Sequence, residues 1–216
     1  MKQIVLAFAF AALLCSGALT QSQAHAATPK PTEVLIVPAY PGGTPWKEIT
    51  HQGNADGEIV EWIPSDQGVA DIKDILTRQV FYKLKKQNPA TFLREVLNRM
   101  GGACERARTN GPKEATEHGY AVAYAQAYCS NQKGASKDAD IFLKAIRGND
   151  ALYVVQREFR RPAQPGATPG VTRFSQDQMG DMSARLKAQS VANKFLVDSV
   201  QLCPGTAGTD HCTDGH

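Results

Sequence analysis

The chain lacks the signatures by which large enzyme families announce themselves. It has no G-x-S-x-G nucleophile elbow, no H-E-x-x-H zinc-protease helix, no G-x-x-x-x-G-K-[ST] phosphate loop and no G-x-G-x-x-G dinucleotide fingerprint. No C-x-x-C pair occurs, which takes away the basis for a thioredoxin-like redox role. No apolar run reaches the ~20 residues needed to span a bilayer, and no internal repeat is visible. A large excess of one charge is missing as well. With Lys2 set aside as part of a leader, 23 basic residues face 21 acidic ones, too even a balance to argue for a nucleic-acid partner.

What remains is a chain of 216 residues with 42% apolar side chains and 18 glycines, a globular composition with enough length for one core. Residues 1–26 read as a signal peptide. Lys2 is the positive n-region, Ile4 to Leu14 is the apolar stretch, and Ala24-His25-Ala26 is an A-x-A cleavage site, placing the mature start at Ala27. Cys15 follows the apolar stretch as an acylated lipoprotein cysteine would, but Leu14 is bulky where such processing wants a small residue. The expected organisation is a leader over 1–26, a single domain over 27–202 and a flexible disulfide-containing tail over 203–216. The expected location is the periplasm or the exterior, with no transmembrane segment left after cleavage.

Loss of the leader leaves Cys104, Cys129, Cys203 and Cys212, an even set in an oxidising compartment. Of the three possible connectivities, proximity favours Cys104 with Cys129 and Cys203 with Cys212. The tail also collects Asp210, His211, Asp214 and His216, but a disulfide would consume both sulfurs and a Gly-rich terminus holds ligands poorly. No metal and no cofactor are expected.

Val34 to Val37 and Glu58 to Ile63 read as strands ended by prolines. In the second, Val60 and Trp62 face one way while Ile59, Glu61 and Ile63 face the other, which separates Glu58 from Glu61. The Gly- and Pro-rich loop between Tyr40 and Trp46 could present its aromatics to a ligand; the expectation is that Trp46 folds back onto the core. In Ile72 to Leu84 the second half reads as a strand. Asn88-Pro89 opens a helix whose stripe is Phe92, Leu93, Val96, Leu97 and Met100, with Gly101-Gly102 as its stop. Asn110-Gly111-Pro112 reads as a polar loop. From Tyr120 to Tyr128 large residues alternate with alanines, a strand with one aromatic face and one face small enough for a helix to approach closely. Ile141 to Arg147, Gly148-Asn149-Asp150 and Ala151 to Arg160 form a hairpin. Residues 162–172 are a Pro/Gly loop, and Ser175 caps a terminal helix whose apolar register changes after Leu186. Strands and helices without β-α-β alternation predict an α+β fold, an antiparallel sheet with segregated helices in one disulfide-stapled domain.

Three local constellations bear on chemistry. Ser130-Asn131-Gln132-Lys133 matches S-x-x-K but has no S-D-N or K-T-G partner, so it reads as a solvated turn. His51, His118 and Glu61 could supply acid–base chemistry only if the fold joined them. Arg147, Arg157, Arg160 and Arg161, arranged around Phe159, could hold a carboxylate or phosphate through bidentate bonds and stacking. The function these residues point to is an exported cell-envelope binding domain without catalytic activity, recognising an anionic ligand or an envelope partner. The alternatives are a periplasmic hydrolase with a non-standard site and a structural envelope protein.

At Glu61-Trp62-Ile63-Pro64, Gln67, Thr77-Arg78-Gln79 and Gly148-Asn149-Asp150-Ala151-Leu152-Tyr153-Val154-Val155-Gln156 the chain resembles an uncharacterised family of secreted proteobacterial proteins. The resemblance runs from about Glu58 to Arg160. It implies a small exported domain with a cysteine pair near Cys104 and Cys129, and it transfers no catalytic residue.

Overall fold

The structure, a computed structural model, describes residues 33–39, 41, 44–134, 137–163, 176–205 and 212. It is the expected α+β architecture. Strands β2 (Trp46–Asn54), β3 (Gly57–Pro64), β4 (Asp74–Phe81), β5 (Cys104–Glu117), β6 (Tyr120–Gln132), β7 (Lys137–Arg147) and β8 (Leu152–Pro162) form a seven-stranded antiparallel sheet in the order β2-β3-β4-β8-β7-β6-β5. A separate two-stranded ribbon pairs β1 (Glu33–Ile36) with β9 (Gln201–Pro204). The helices are α1 (Pro89–Ala103) and α2 (Gln176–Lys194), the latter running into a π-helical turn at Phe195–Ser199.

The two sheet faces are built from opposite parities of the same strands. Helix α1 lies on the face made by Ala123, Ala125 and Ala127 of β6 together with Ile141, Leu143, Leu152 and Val154, where small side chains let the helix approach. Asn88 caps it, its side chain accepting the Thr91 N–H at 2.9 Å, with Pro89 at the first position. The helix runs through Gly101-Gly102 and ends at Ala103, because Cys104 turns extended and enters β5. Cys104 bridges to Cys129, and Cys203 bridges to Cys212, the pairing expected from proximity. The first cross-link ties the edge strand to β6 across 25 residues, a closure of about 3 kcal/mol in the chain-entropy picture.

The other face carries the end of α2 and the π-turn over Phe142 and Val155, and the ribbon over Val122, Ile146 and Tyr153. The changed apolar register of the terminal helix is explained here. Met182 and Leu186 are exposed, whereas Ala192, Phe195 and Leu196 are buried, and the wider π-turn re-aims the last residues at the sheet.

Two strands of the seven-stranded sheet escaped the sequence reading, and so did β9 of the ribbon. The stretch around Asn110-Gly111-Pro112 belongs to β5, not to a loop, and the stretch around His51 forms β2. Strands β2 and β5 are the outer strands of the sheet, solvated along most of their length, so neither needs the alternation of apolar and polar residues that reveals a half-buried strand. The leader over 1–26, Ser175 and most of the Pro/Gly stretch, with Tyr40 and the tail other than Cys203, Pro204, Gly205 and Cys212, lie outside the described residues.

Candidate functional site

The arginines of the hairpin divide between the faces. Pairing of Arg157 with Leu76 and Phe142, and of Arg161 with Asp138, puts these two on the α2 face. Arg160, opposite Ala139, and Arg147, opposite Leu152 and Ala121, lie on the α1 face. The four therefore do not converge.

Three of them are engaged by carboxylates. Arg157, almost wholly buried, pairs with Asp74, and its guanidinium carbon sits 4.2 Å from the Trp46 ring centre and 5.0 Å from that of Phe159. This sandwich is what folds Trp46 back onto the core, as expected. Burial lifts the Asp74 carboxyl from 3.8 to about 6, with the Arg157 charge and the Ile75 N–H pulling the other way. Arg160 donates to Glu158 at 2.6 Å, and Arg161 donates to Asp140 at 2.6 Å. Arg147 is exposed and has no carboxylate partner among the described residues.

Around Asp140 a larger polar cluster closes beneath α2. Arg185 reaches down from the helix and grips both Asp140 oxygens, Nε at 2.8 Å and Nη2 at 2.6 Å. Burial acts to raise the Asp140 carboxyl, but the hydrogen bonds and charges of Arg185 and Arg161 outweigh it and hold it below the ordinary value. Tyr128 lies under both guanidinium groups, at 5.5 Å and 5.0 Å, and donates to Asp138 at 3.2 Å. Arg185, Asp138 and Asp140 were not singled out in the sequence, although charges at alternate positions inside the apolar run Asp138-Ala139-Asp140-Ile141-Phe142-Leu143-Lys144 were a signal for an inward polar network.

Lys144, fully buried, is the neighbouring member of that row. It donates to Glu117 at 2.6 Å and to the Val200 carbonyl at 2.6 Å, with the Val197 carbonyl at 3.4 Å, so it takes up the end of the π-turn. Burial lowers its pKa, against the hydrogen bond and charge of Glu117. Tyr124 donates to the other Glu117 oxygen.

The proposed acid–base set is not assembled. His51 on β2 lies 3.2 Å from Glu58 and 3.5 Å from Glu48, while Glu61 faces the other way, as the period of two required. His118 sits in the turn between β5 and β6, at the opposite edge of the sheet, six strand spacings or roughly 29 Å away. Ser130 is buried at the end of β6, and Lys133 donates instead to the Gly102 carbonyl at 2.9 Å.

A row of exposed cations lies on β5. Pairing of Arg106 with Ser130, Arg108 with Tyr128, Asn110 with Gln126 and Lys113 with Tyr124 puts all four β5 side chains on the α2 face. Arg106, Arg108 and Lys113 are exposed, and none makes an ion pair among the described residues. Asn110 and Lys113 also border a half-open cleft of about 180 Å³ between the β5 bulge and the end of α2, completed by Tyr124, Gln126, Asn193 and Val197. Gly111 makes the bulge possible: its φ is +93°, and a Cβ there would come 2.7 Å from the Tyr124 carbonyl oxygen.

No protein-family model matches the chain, and no curated protein matches it. Among solved structures it is similar to that of LpqN, involved in cell envelope biogenesis of Mycobacterium tuberculosis. The TM-score is 0.34 and the identity 12%, over 79% of this chain and 90% of that one. At that distance the surface must be read from its own residues. Among the described residues no helix is long and apolar enough to cross a membrane, and no group of three or more His, Cys, Asp or Glu side chains is arranged to hold a metal.

Proposed function

We propose that the chain is an exported binding domain of the cell envelope, acting without catalysis, that captures an anionic ligand on the exposed face of β5. The observation that carries this reading is the contrast between two sets of cations. Arg157, Arg160 and Arg161 are committed to Asp74, Glu158 and Asp140, whereas Arg106, Arg108 and Lys113 lie in one exposed row without carboxylate partners among the described residues. Cations in a row on a rigid strand bind an anion without first breaking an internal pair. The two disulfides support an oxidising compartment, and the leader over residues 1–26 supplies the route. Arg147 is the member of the hairpin set still open to an anion, on the other face.

The test is retention of the exported, leader-cleaved protein on immobilised polyphosphate across a salt gradient. Wild type and Arg147→Ala are expected to be retained at low salt, and Arg106→Ala/Arg108→Ala/Lys113→Ala to elute in the wash. Equal retention of the triple variant, or no retention of wild type, overturns the reading.

A further inference from the structure

We infer that the ligand is an acidic polysaccharide, with one sugar unit seated in the cleft between the β5 bulge and the end of α2 and its flanking acidic groups on Arg108 and Arg106. This rests on the anion-binding reading above and adds a ligand class to it.

The cleft has the chemistry of a sugar site. Asn110, Gln126 and Asn193 each offer an amide that donates and accepts, which suits hydroxyl groups that do both. Tyr124 contributes a ring to the lining, an apolar surface of the kind that the C–H face of a pyranose covers. Lys113 adds a cation at the mouth for a carboxylate or sulfate. Among the described residues the Gln126 and Asn193 side chains bond only to each other, through an exposed contact of 3.3 Å, so ligand hydroxyls can replace it at little cost. The cleft is small, about 180 Å³, and half-open, so it can seat a sugar unit without enclosing a longer chain. The rest of the chain must then lie outside, and the outside is basic in one direction. Asn110, Arg108 and Arg106 leave the cleft along one strand face, about 7 Å apart, as β-strand geometry sets i and i+2. Beyond Asn110, a repeating polyanion meets a cation at Arg108 and again at Arg106.

Other occupants fit less well. An added peptide strand needs a continuous row of backbone donors and acceptors, and β5 breaks it with Pro112, which has no N–H, inside the bulge between Asn110 and Lys113. A protein partner anchored by apolar side chains would find only a small apolar surface here, from Tyr124, Ala125 and Val197, set among three amides and Lys113. Single-stranded nucleic acid asks for a series of exposed stacking rings, and beside this row only the Tyr124 ring lines the cleft, Tyr128 being covered by Arg161 and Arg185.

The experiment is binding of the leader-cleaved full chain to an array of glycans bearing uronate, sulfate or phosphate groups, printed beside their neutral counterparts. The best acidic glycan is then titrated calorimetrically. Wild type is expected to bind acidic and not neutral glycans. Gln126→Ala/Asn193→Ala, which changes no charge, should weaken that binding by about tenfold or more, as should Asn193→Ala alone in lesser degree, while polyphosphate retention stays as in wild type. Unchanged glycan affinity in both cleft variants, or no acidic glycan bound above its neutral counterpart, overturns the inference. If polyphosphate is still held through Arg106, Arg108 and Lys113, the broader anion-binding reading survives that failure; if it is not, both fall.

Discussion

The Glu33 carboxylate occupies the space that a side chain at Gly148 would fill. A Cβ at that position would lie 2.0 Å from Glu33 Oε1 and 2.7 Å from the Tyr153 ring, so glycine is required by packing. The carboxylate, nearly fully buried, accepts the N–H groups of Asn149 at 2.8 Å and Asp150 at 2.9 Å, which binds the first strand to the β7–β8 turn across more than a hundred residues. Gly148→Ala is expected to cost about 1–3 kcal/mol, the usual range for overpacking. Because Glu33→Ala removes the obstacle, the double variant should cost less than the sum of the two single changes. Urea unfolding of the four proteins measures this, and strict additivity would show that the contact is not what restricts position 148.

Lys144 is the counterpart of that latch on the neighbouring part of the sheet. Its ammonium joins Glu117 to the carbonyl end of the π-turn, and no water-exposed alternative exists for a side chain with no accessible surface. Lys144→Ala is expected to destabilise by about 3 kcal/mol, since the Glu117 charge and the Val200 carbonyl both lose their partner. Replacing the pair together, Lys144→Met with Glu117→Gln, should recover a large part of that loss. A double variant no better than the alanine variant, measured by thermal and urea unfolding, would show that packing rather than charge pairing holds the π-turn.

Sequence periodicity recovered the elements that bury one face. Ala121 to Ala127 alternating with Tyr120 to Tyr128, the Gly148-Asn149-Asp150 hairpin and the Asn88-Pro89 helix start each carry a local physical cause, and each stands where expected. The outer strands were illegible for the converse reason. Residues 105–116 of β5 are solvent-exposed almost throughout, so they obey no apolar period, and nothing in local spacing puts Arg106, Arg108 and Lys113 on one strand face. The hairpin arginines were visible as a cluster, but the carboxylates that engage Arg157 and Arg161 are Asp74 on β4 and Asp140 on β7, the latter shared with Arg185 of α2, and cross-strand register decides which arginines share a face. Charge neutralisation by distant segments is not encoded in local spacing.

Asp74 sets a pH dependence whose sign is opposite to that of an ordinary ion-paired carboxylate. Its folded carboxyl titrates at about 6, above the 3.8 of an unburied aspartate, so between these values the folded state holds a proton that the unfolded chain has released. The stabilisation from this group is complete below the unfolded value and is lost as pH rises through about 6. Wild type should therefore lose up to about 3 kcal/mol relative to Asp74→Asn between pH 4 and 7. Carboxyl-carbon NMR would place the Asp74 midpoint near 6. A midpoint at or below the unfolded value would mean that Arg157 outweighs burial and would reverse the slope.

Export and cross-linking make a joint prediction about the mass of the protein recovered from the oxidising compartment. Cleavage after Ala26 would remove Lys2 and Cys15 and leave a chain starting at Ala27 whose four cysteines are those of the two disulfides. The intact mass should therefore equal that of residues 27–216 less four hydrogens, with no thiol reacting with iodoacetamide under denaturing conditions. Peptide mapping without reduction should recover Cys104 linked to Cys129 and Cys203 linked to Cys212. Breaking the first link with Cys104→Ser/Cys129→Ser should cost about 3 kcal/mol, because it frees β5 from β6 and restores the unfolded chain its longer loop. That variant also tests the binding face: a β5 released at its first residue should hold polyphosphate less tightly, since Arg106 and Arg108 would no longer stand on a fixed strand. A product that retains Met1, or one acylated on Cys15, would place the domain on a membrane and overturn the export route drawn from Ala24-His25-Ala26.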